Sequence, residues 1–295
     1  AREMNTRLMK TLEDLTFKDA KDNDVKRENA NIDGDSPMGT MLKYGSESAK
    51  QFYEMFVLNP KYSEAHRNGD IHIHALDFLT LTTTCCQIDL LKLFQGGFST
   101  GHGFLREPND IRSYSALACI ALQSNQNDQH GGQSIPNFDY SMAPGVKKTF
   151  RRAFTDNLTK AIEIYLEQED GELLSKSIVK NAERETGEIA VFADGNGFDE
   201  AVERLLCDHT DERTAAKIMR FTRKYAVKET RRNTYQAMEA LVHNLNTMHS
   251  RAGAQVPFTS LNYGTDTSPE GRLVMECLMK ATEAGLGNGE TSIFP

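Results

Sequence analysis

Apolar and polar side chains alternate most clearly between Asn68 and Leu90, NGDIHIHALDFLTLTTTCCQIDL, and this pattern predicts one long or two successive β-strands. In extended chain Asp70, His72 and His74 share one face while Ile71 and Ile73 take the other. The β-branched run Thr82, Thr83, Thr84 adds to the strand signal, and the same alternation sends Cys85 and Cys86 to opposite faces. A strand with a polar, thiol-bearing face suits the wall of an enclosed barrel lumen better than an ordinary core.

On either side the period changes to that of helix. Met4, Leu8, Leu12 and Leu15 mark residues 2 to 15 as an amphipathic helix, and the charged run from Lys18 to Pro37 reads as a loop or hinge. These divide the chain into an N-terminal helix and linker, 1–36, and a larger region, 37–295. Ser36-Pro37 offers a helix start, residues 40 to 58 read as helical, and Asn59-Pro60 stops them before a lead into the central strand. Glycines at 96, 97, 101 and 103 allow sharp turns or close approach to a ligand. Asp110 to Gln126 is predicted as a helix capped by Asp110 or Asn109. The amide-rich run SNQNDQHGGQSIPNFDY, 124–140, reads as a ligand-facing loop, because amides recognise neutral polar groups. Helix resumes from Pro144 to Leu166, with mixed helix and loop to Asn196. Two long helices follow from Phe198 to Ser250, broken or bent near Arg231-Arg232. Val256 to Tyr263 is a strand, Ser268 to Ala284 a helix with proline in its first turn, and the tail a loop entering another strand.

Composition narrows the function classes. With 295 residues, 39% of them hydrophobic, the chain can bury the core of one large domain or two smaller ones. A formal net charge of -8 argues against binding a nucleic-acid polymer or an acidic membrane, while a local pocket for free nucleotides stays compatible with it. Five cysteines without framework spacing fit a reducing compartment, hence the cytoplasm. No run approaches the roughly 18 apolar residues of a membrane span. Without a starting Met, and with an abrupt end at Phe294-Pro295, both termini are expected to lie inside a longer chain.

The candidate chemistry centres on the predicted strand. Asp70, His72 and His74, completed by His130 or Asp128, have the donor types of a metal site, but HExxH and CxxC spacings are absent, so substrate or structural polar roles are preferred and no metal is assigned. Adjacent cysteines would close a strained eight-membered ring, so one working thiol is expected rather than a redox pair. Cys119, Cys207 and Cys277 read as small buried hydrophobes. In KKTFRR, 147–152, the cations Lys148, Arg151 and Arg152 lie about one turn apart, either as a solvated helix face or as a triphosphate-binding cluster.

The strings RENANIDGDSPMGTMLKYGSESAK, GDIHIHALDF, TCCQIDL, GFSTGHGFLREP, SNQNDQHGGQSIPNFDY, the long run from Asn233 to Arg272 and ATEAGLGNGETSIFP closely resemble the anaerobic (class III) ribonucleoside-triphosphate reductases. The resemblance implies an α/β fold, half of a ten-stranded barrel of the glycyl-radical enzyme type with long helices outside. It implies a homodimer, activated by a radical-SAM enzyme, that reduces ribonucleoside triphosphates to deoxyribonucleoside triphosphates, with ATP and deoxynucleotides as effectors and formate as the reductant in many members. By position, Cys85 matches the family cysteine that faces the substrate ribose. His72, His74 and Asn262 are the candidate substrate-binding groups, and Lys148, Arg151 and Arg152 the candidate effector-binding groups. The thiyl-radical cysteine, the glycyl radical, the zinc site and an ATP cone are expected to lie outside these residues. The alternative is a non-catalytic nucleotide-binding or dimerisation fragment of the same fold.

Overall fold

Several helix starts in this chain are set by the side chains that cap them. The computed structural model describes residues 2–17, 35–79, 84–193, 197–249 and 255–295, with side chains from residue 6 onward. Helix α1, Arg2–Phe17, precedes α2, Pro37–Phe52, where Ser36 Oγ accepts from Gly39 N at 3.0 Å and Pro37 occupies the first turn. The α2 helix runs into a wide π-helical turn, Tyr53–Val57, closed by Leu58 N donating to Tyr53 O at 2.8 Å. Asn59-Pro60 then begins a helix as well as ending one. Asn59 Oδ1 accepts from Lys61 N at 3.0 Å, and α3, Pro60–Asn68, forms where a connecting loop is expected.

The strand expected over Asp70–His74 does not form. Gly69, at φ 82, ends α3 in the left-handed conformation, and the N–H groups of Asp70 and Ile71 both return to Ala65 O. The chain is thus wound around the helix end instead of extended, Ile71 is 41% exposed, and Ala75 at φ 50 leads into a 3₁₀ turn, Leu76–Phe78. Residues 80–83 of the expected strand lie outside the described residues. Its remaining part is β1, Thr84–Gln87, followed by α4, Leu90–Phe94, and an antiparallel pair, β2 Phe98–Ser99 with β3 Phe104–Leu105, in the register Phe98↔Leu105.

Helix α5, Ile111–Asp128, is capped by Asp110, whose Oδ1 accepts from Ser113 N at 2.8 Å. The amide-rich run expected as a loop holds β4, His130–Ile135, and the start of α6, Phe138–Leu166, so Pro144 sits inside that helix instead of opening it. Next come α7, Gly171–Thr186, α8, Gly197–Cys207, and α9, Glu212–Thr247. The break between the last two falls at 208–211. The 36-residue α9 passes Arg231-Arg232 unbroken. After β5, Thr259–Leu261, the final helix α10, Pro269–Ala284, is capped by Ser268 as expected, and residues 285–295 form no strand.

The fold is therefore mixed α/β and mostly helical, with a three-stranded sheet in the order β1–β4–β5 and the small β2–β3 pair among the described residues. By contact density the chain divides into two compact units, one of residues 1–86, 122–133 and 246–259, the other of 87–121, 134–245 and 260–295. In the first, α1 lies along α2, with Leu15 buried and Arg7 paired to Glu54 at 3.0 Å. In the second, α6 packs against α7 and α10, and α7 against α8. Its core holds Phe150, Phe154, Leu158, Ile162, Ile178, Phe198 and Val202, each such side chain contributing about 1.5–3 kcal/mol by leaving water.

Candidate functional site around the vicinal cysteines

Strand β1 carries both sulfurs, and they meet different neighbours. Cys85 is exposed and has φ 52, a left-handed value uncommon for a residue with a side chain. A Cβ built on Gly131 of β4 would lie 2.9 Å from Cys85 Sγ, so the thiol rests over a residue that has to be glycine, and the φ of 93 at Gly131 calls for glycine independently. Cys86 is half-buried, and its Sγ receives an N–H from Asn125 Nδ2 at 2.9 Å. That nitrogen also lies 2.7 Å from Gln133 Oε1. Nearby, the His130 ring stacks on Phe78 with centroids 4.0 Å apart.

His72 and His74 come together through the winding after α3, not through a shared strand face. Their ring centroids are 5.8 Å apart, and His66 lies 5.8 Å from His72. His66 Nδ1 lies 3.3 Å from both Ile73 N and Ile71 O, which ties its ring to the turn that follows α3. His72 and His74 are exposed. Among the described residues no three His, Cys, Asp or Glu side chains are grouped to hold a metal ion.

Asn262 joins the end of β4 to the start of α6 through its backbone: its N–H donates to Ile135 O and its carbonyl accepts from Phe138 N, both at 2.9 Å. Beside it is a residue that the sequence reading passed over. Asp139 is fully buried, and its Oδ2 accepts from the backbone N–H groups of Gly264, Thr265 and Asp266 at 2.9, 3.0 and 2.9 Å, while Oδ1 accepts from Tyr140 N at 3.0 Å. Burial works against its charge, but the four N–H groups outweigh it and hold the carboxyl below the usual aspartate range. The sequence held no signal for it, because Asp139 falls in the run read as a loop and gains its place in a helix first turn only in the fold.

The sequence profile of the anaerobic ribonucleoside-triphosphate reductases matches residues 28–295. The chain belongs to this family. It is 25% identical over 296 residues to the anaerobic ribonucleoside-triphosphate reductase of Enterobacteria phage T4, covering 97% of this chain and 38% of the phage protein. The reductase of Escherichia coli K12 is 25% identical over 250 residues, 84% of this chain and 27% of the relative, and that of Haemophilus influenzae is 22% identical over 298 residues, 100% and 34%. The chain thus spans about a third of the length of the curated reductases it matches.

Of the four cations in the KKTFRR segment of α6, the three expected to bind an effector, Lys148, Arg151 and Arg152, each have an acidic partner. Lys148 Nζ lies 2.6 Å from Glu107 Oε1 and 2.9 Å from Pro108 O, and Arg152 Nη1 lies 3.2 Å from Asp110 Oδ2. Arg151 turns to α7, where Nη2 donates to Glu183 Oε2 at 2.7 Å beside a second bond from Nε. Lys148 and Arg152, four residues apart, therefore share a face beside the capped start of α5, and Arg151 occupies another. Partial burial opposes the Lys148 charge, but its bonds to Glu107 and Tyr114 prevail and lift the ammonium above its ordinary value. The Lys148 bond in turn draws Glu107 below the usual glutamate range. Among the described residues no helix is long and apolar enough to cross a membrane.

Proposed function

We propose that this chain is the N-terminal half of the catalytic barrel of an anaerobic ribonucleoside-triphosphate reductase, with Cys85 as the thiol that faces the ribose. The observation that carries the reading is the family match over residues 28–295, which takes in the TCCQ strand. It is supported by the exposure of Cys85, whose sulfur rests over Gly131. In the reaction the 2′ hydroxyl takes up a proton and leaves as water, Cys85 gives a hydrogen atom to the 2′ carbon, and the oxidation of formate to carbon dioxide supplies the two electrons consumed and returns Cys85 to the thiol. His72, His74 and Asn262 bind the nucleotide, and Lys148 and Arg152, which share one face of α6, meet the triphosphate of a deoxynucleotide or ATP effector once Glu107 and Asp110 are displaced, with Arg151 held by Glu183 on another face. A glycyl radical, installed by a radical-SAM activating enzyme, would supply the means of abstracting hydrogen from C3′; it and the zinc belong to the remaining two-thirds of the relatives' length, the reductant is formate and the assembly a homodimer.

The test is turnover by the full-length protein under anaerobic conditions. Cys85→Ser is expected to abolish deoxynucleotide formation, because a hydroxyl O–H bond is too strong to give up its hydrogen readily. Cys86→Ser is expected to keep most of it, since a serine hydroxyl still accepts from Asn125. An active Cys85→Ser protein beside a folded but dead Cys86→Ser protein overturns the assignment. The 295-residue chain by itself is expected to give no turnover.

A further inference from the structure

We propose that Asn125 is a positioning residue that separates the two vicinal thiols, holding Cys86 against α5 so that Cys85 alone is free to react. The inference builds on the reading of Cys85 as the working thiol.

The geometry treats the sulfurs unequally. Asn125 Nδ2 reaches Cys86 Sγ at 2.9 Å and Gln133 Oε1 at 2.7 Å, so one amide joins the last turn of α5 to β1 and to β4. Gln133 is only 3% exposed, and its Nε2 has no hydrogen-bond partner among the described residues. Its Oε1 therefore has no water at hand to replace Asn125, and removing the Asn125 amide would leave both ends of the Gln133 amide buried without a partner, an arrangement that resists loss of the clamp. On the other side, Cys85 Sγ lies over Gly131, where the missing Cβ leaves it room.

The consequence is chemical selectivity within one dipeptide. A disulfide between neighbouring cysteines needs the sulfurs about 2.05 Å apart, which Cys86 reaches only by leaving Asn125. Attack by Cys86 on an external electrophile competes with the Asn125 contact, which occupies a lone pair of its half-buried sulfur. Among the described residues Cys85 has no such bond to break.

Timed alkylation of the full-length protein with iodoacetamide, kept anaerobic and read by fragment-ion mass spectrometry, assigns a rate to each sulfur. In the unaltered protein Cys85 is expected to label at least tenfold faster than Cys86. In Asn125→Ala, which removes the N–H without adding a charge beside the sulfur, Cys86 should label at least tenfold faster than before while Cys85 stays within twofold. Equal rates for the two cysteines in the unaltered protein, or an unchanged Cys86 rate in a folded Asn125→Ala protein, overturn the proposal. The first comparison needs no variant, so it stands even where substitution prevents folding. Labelling decides the role of Asn125, and Cys85→Ser turnover separately decides the reductase reading.

Discussion

Gly145 of α6 passes so close to Tyr114 of α5 that a Cβ on the glycine would lie 2.9 Å from the tyrosine ring and 3.2 Å from Ile111 Cα. Thr149, one turn on, completes this crossing: its hydroxyl donates to Gly145 O and accepts from Ile111 N, both at 2.8 Å. Gly→Ala inside a helix ordinarily gains up to about 1 kcal/mol. Here an overpacking cost of about 1–3 kcal/mol opposes it, because both contacts lie on stiff elements. Gly145→Ala is expected to destabilise by about 1–2 kcal/mol in urea titration. A more stable Gly145→Ala protein would show that the two helices can move apart.

Gly131→Ala is expected to be more damaging, since it combines a positive φ with a contact to Cys85 Sγ. A loss of about 2–3 kcal/mol is expected. A double-mutant cycle with Cys85→Ala separates the two causes: the clash is relieved in the double variant and the backbone strain remains, so the two losses should not add. Additive losses would mean that Cys85 Sγ does not rest on Gly131.

The buried Asp139 carboxylate sets a pH dependence. Its folded pKa lies below the ordinary 3.8, so the stability it contributes is fully present above that value and is lost as pH falls through the lower folded value. Asp139→Asn is expected to cost about 2–3 kcal/mol at neutral pH, by turning an amide toward backbone N–H groups. The gap between the two proteins should narrow below pH 4 in urea titrations. A gap that widens on acidification would reverse the sign of the assignment.

The two faces of the KKTFRR segment predict unequal effects on effector binding. Calorimetry on the full-length protein with deoxynucleoside triphosphates is expected to show about tenfold weaker binding for Lys148→Ala and for Arg152→Ala, about 1.4 kcal/mol each. Arg151→Ala, its fork engaged by Glu183, should act mainly on stability, by under about 1 kcal/mol because the pair is half exposed. Unchanged affinity in both Lys148→Ala and Arg152→Ala would make the segment a solvated helix face.

What could be read from the sequence was what local side chains decide. Ser36, Asp110 and Ser268 cap helices because their oxygens reach N–H groups two or three residues ahead, and that geometry is written in the adjacent residues. Asn59-Pro60 was legible as a boundary but not in direction, for a proline that ends one helix fits equally well in the first turn of the next. GDIHIHAL alternates like a strand, yet Gly69 in the left-handed region folds the chain back onto Ala65 before extension can begin. Strand β4 was hidden for the opposite reason: Gly131-Gly132 and its amides carry no strand preference, and it is a strand because Gln133 N donates to Phe258 O and Ser134 O accepts from Ile88 N. Of the site, Cys85 and Cys86 were visible as reactive types. Asn125 and Asp139 were not, since their importance lies in partners 39 and up to 127 positions away.

The π-helical turn at Tyr53–Val57 is in effect one surplus residue, held in place because Ser63, buried at 2% exposure, donates its hydroxyl to Glu54 O at 2.7 Å. A lineage can gain or lose that residue without rebuilding α2 or α3, but each such event turns everything on one side by about 100° relative to the other. Deletions near Tyr53 should therefore be accompanied, across descendants of this chain, by loss of the hydroxyl at Ser63, and an alignment gap there marks a rotated surface instead of a shortened loop.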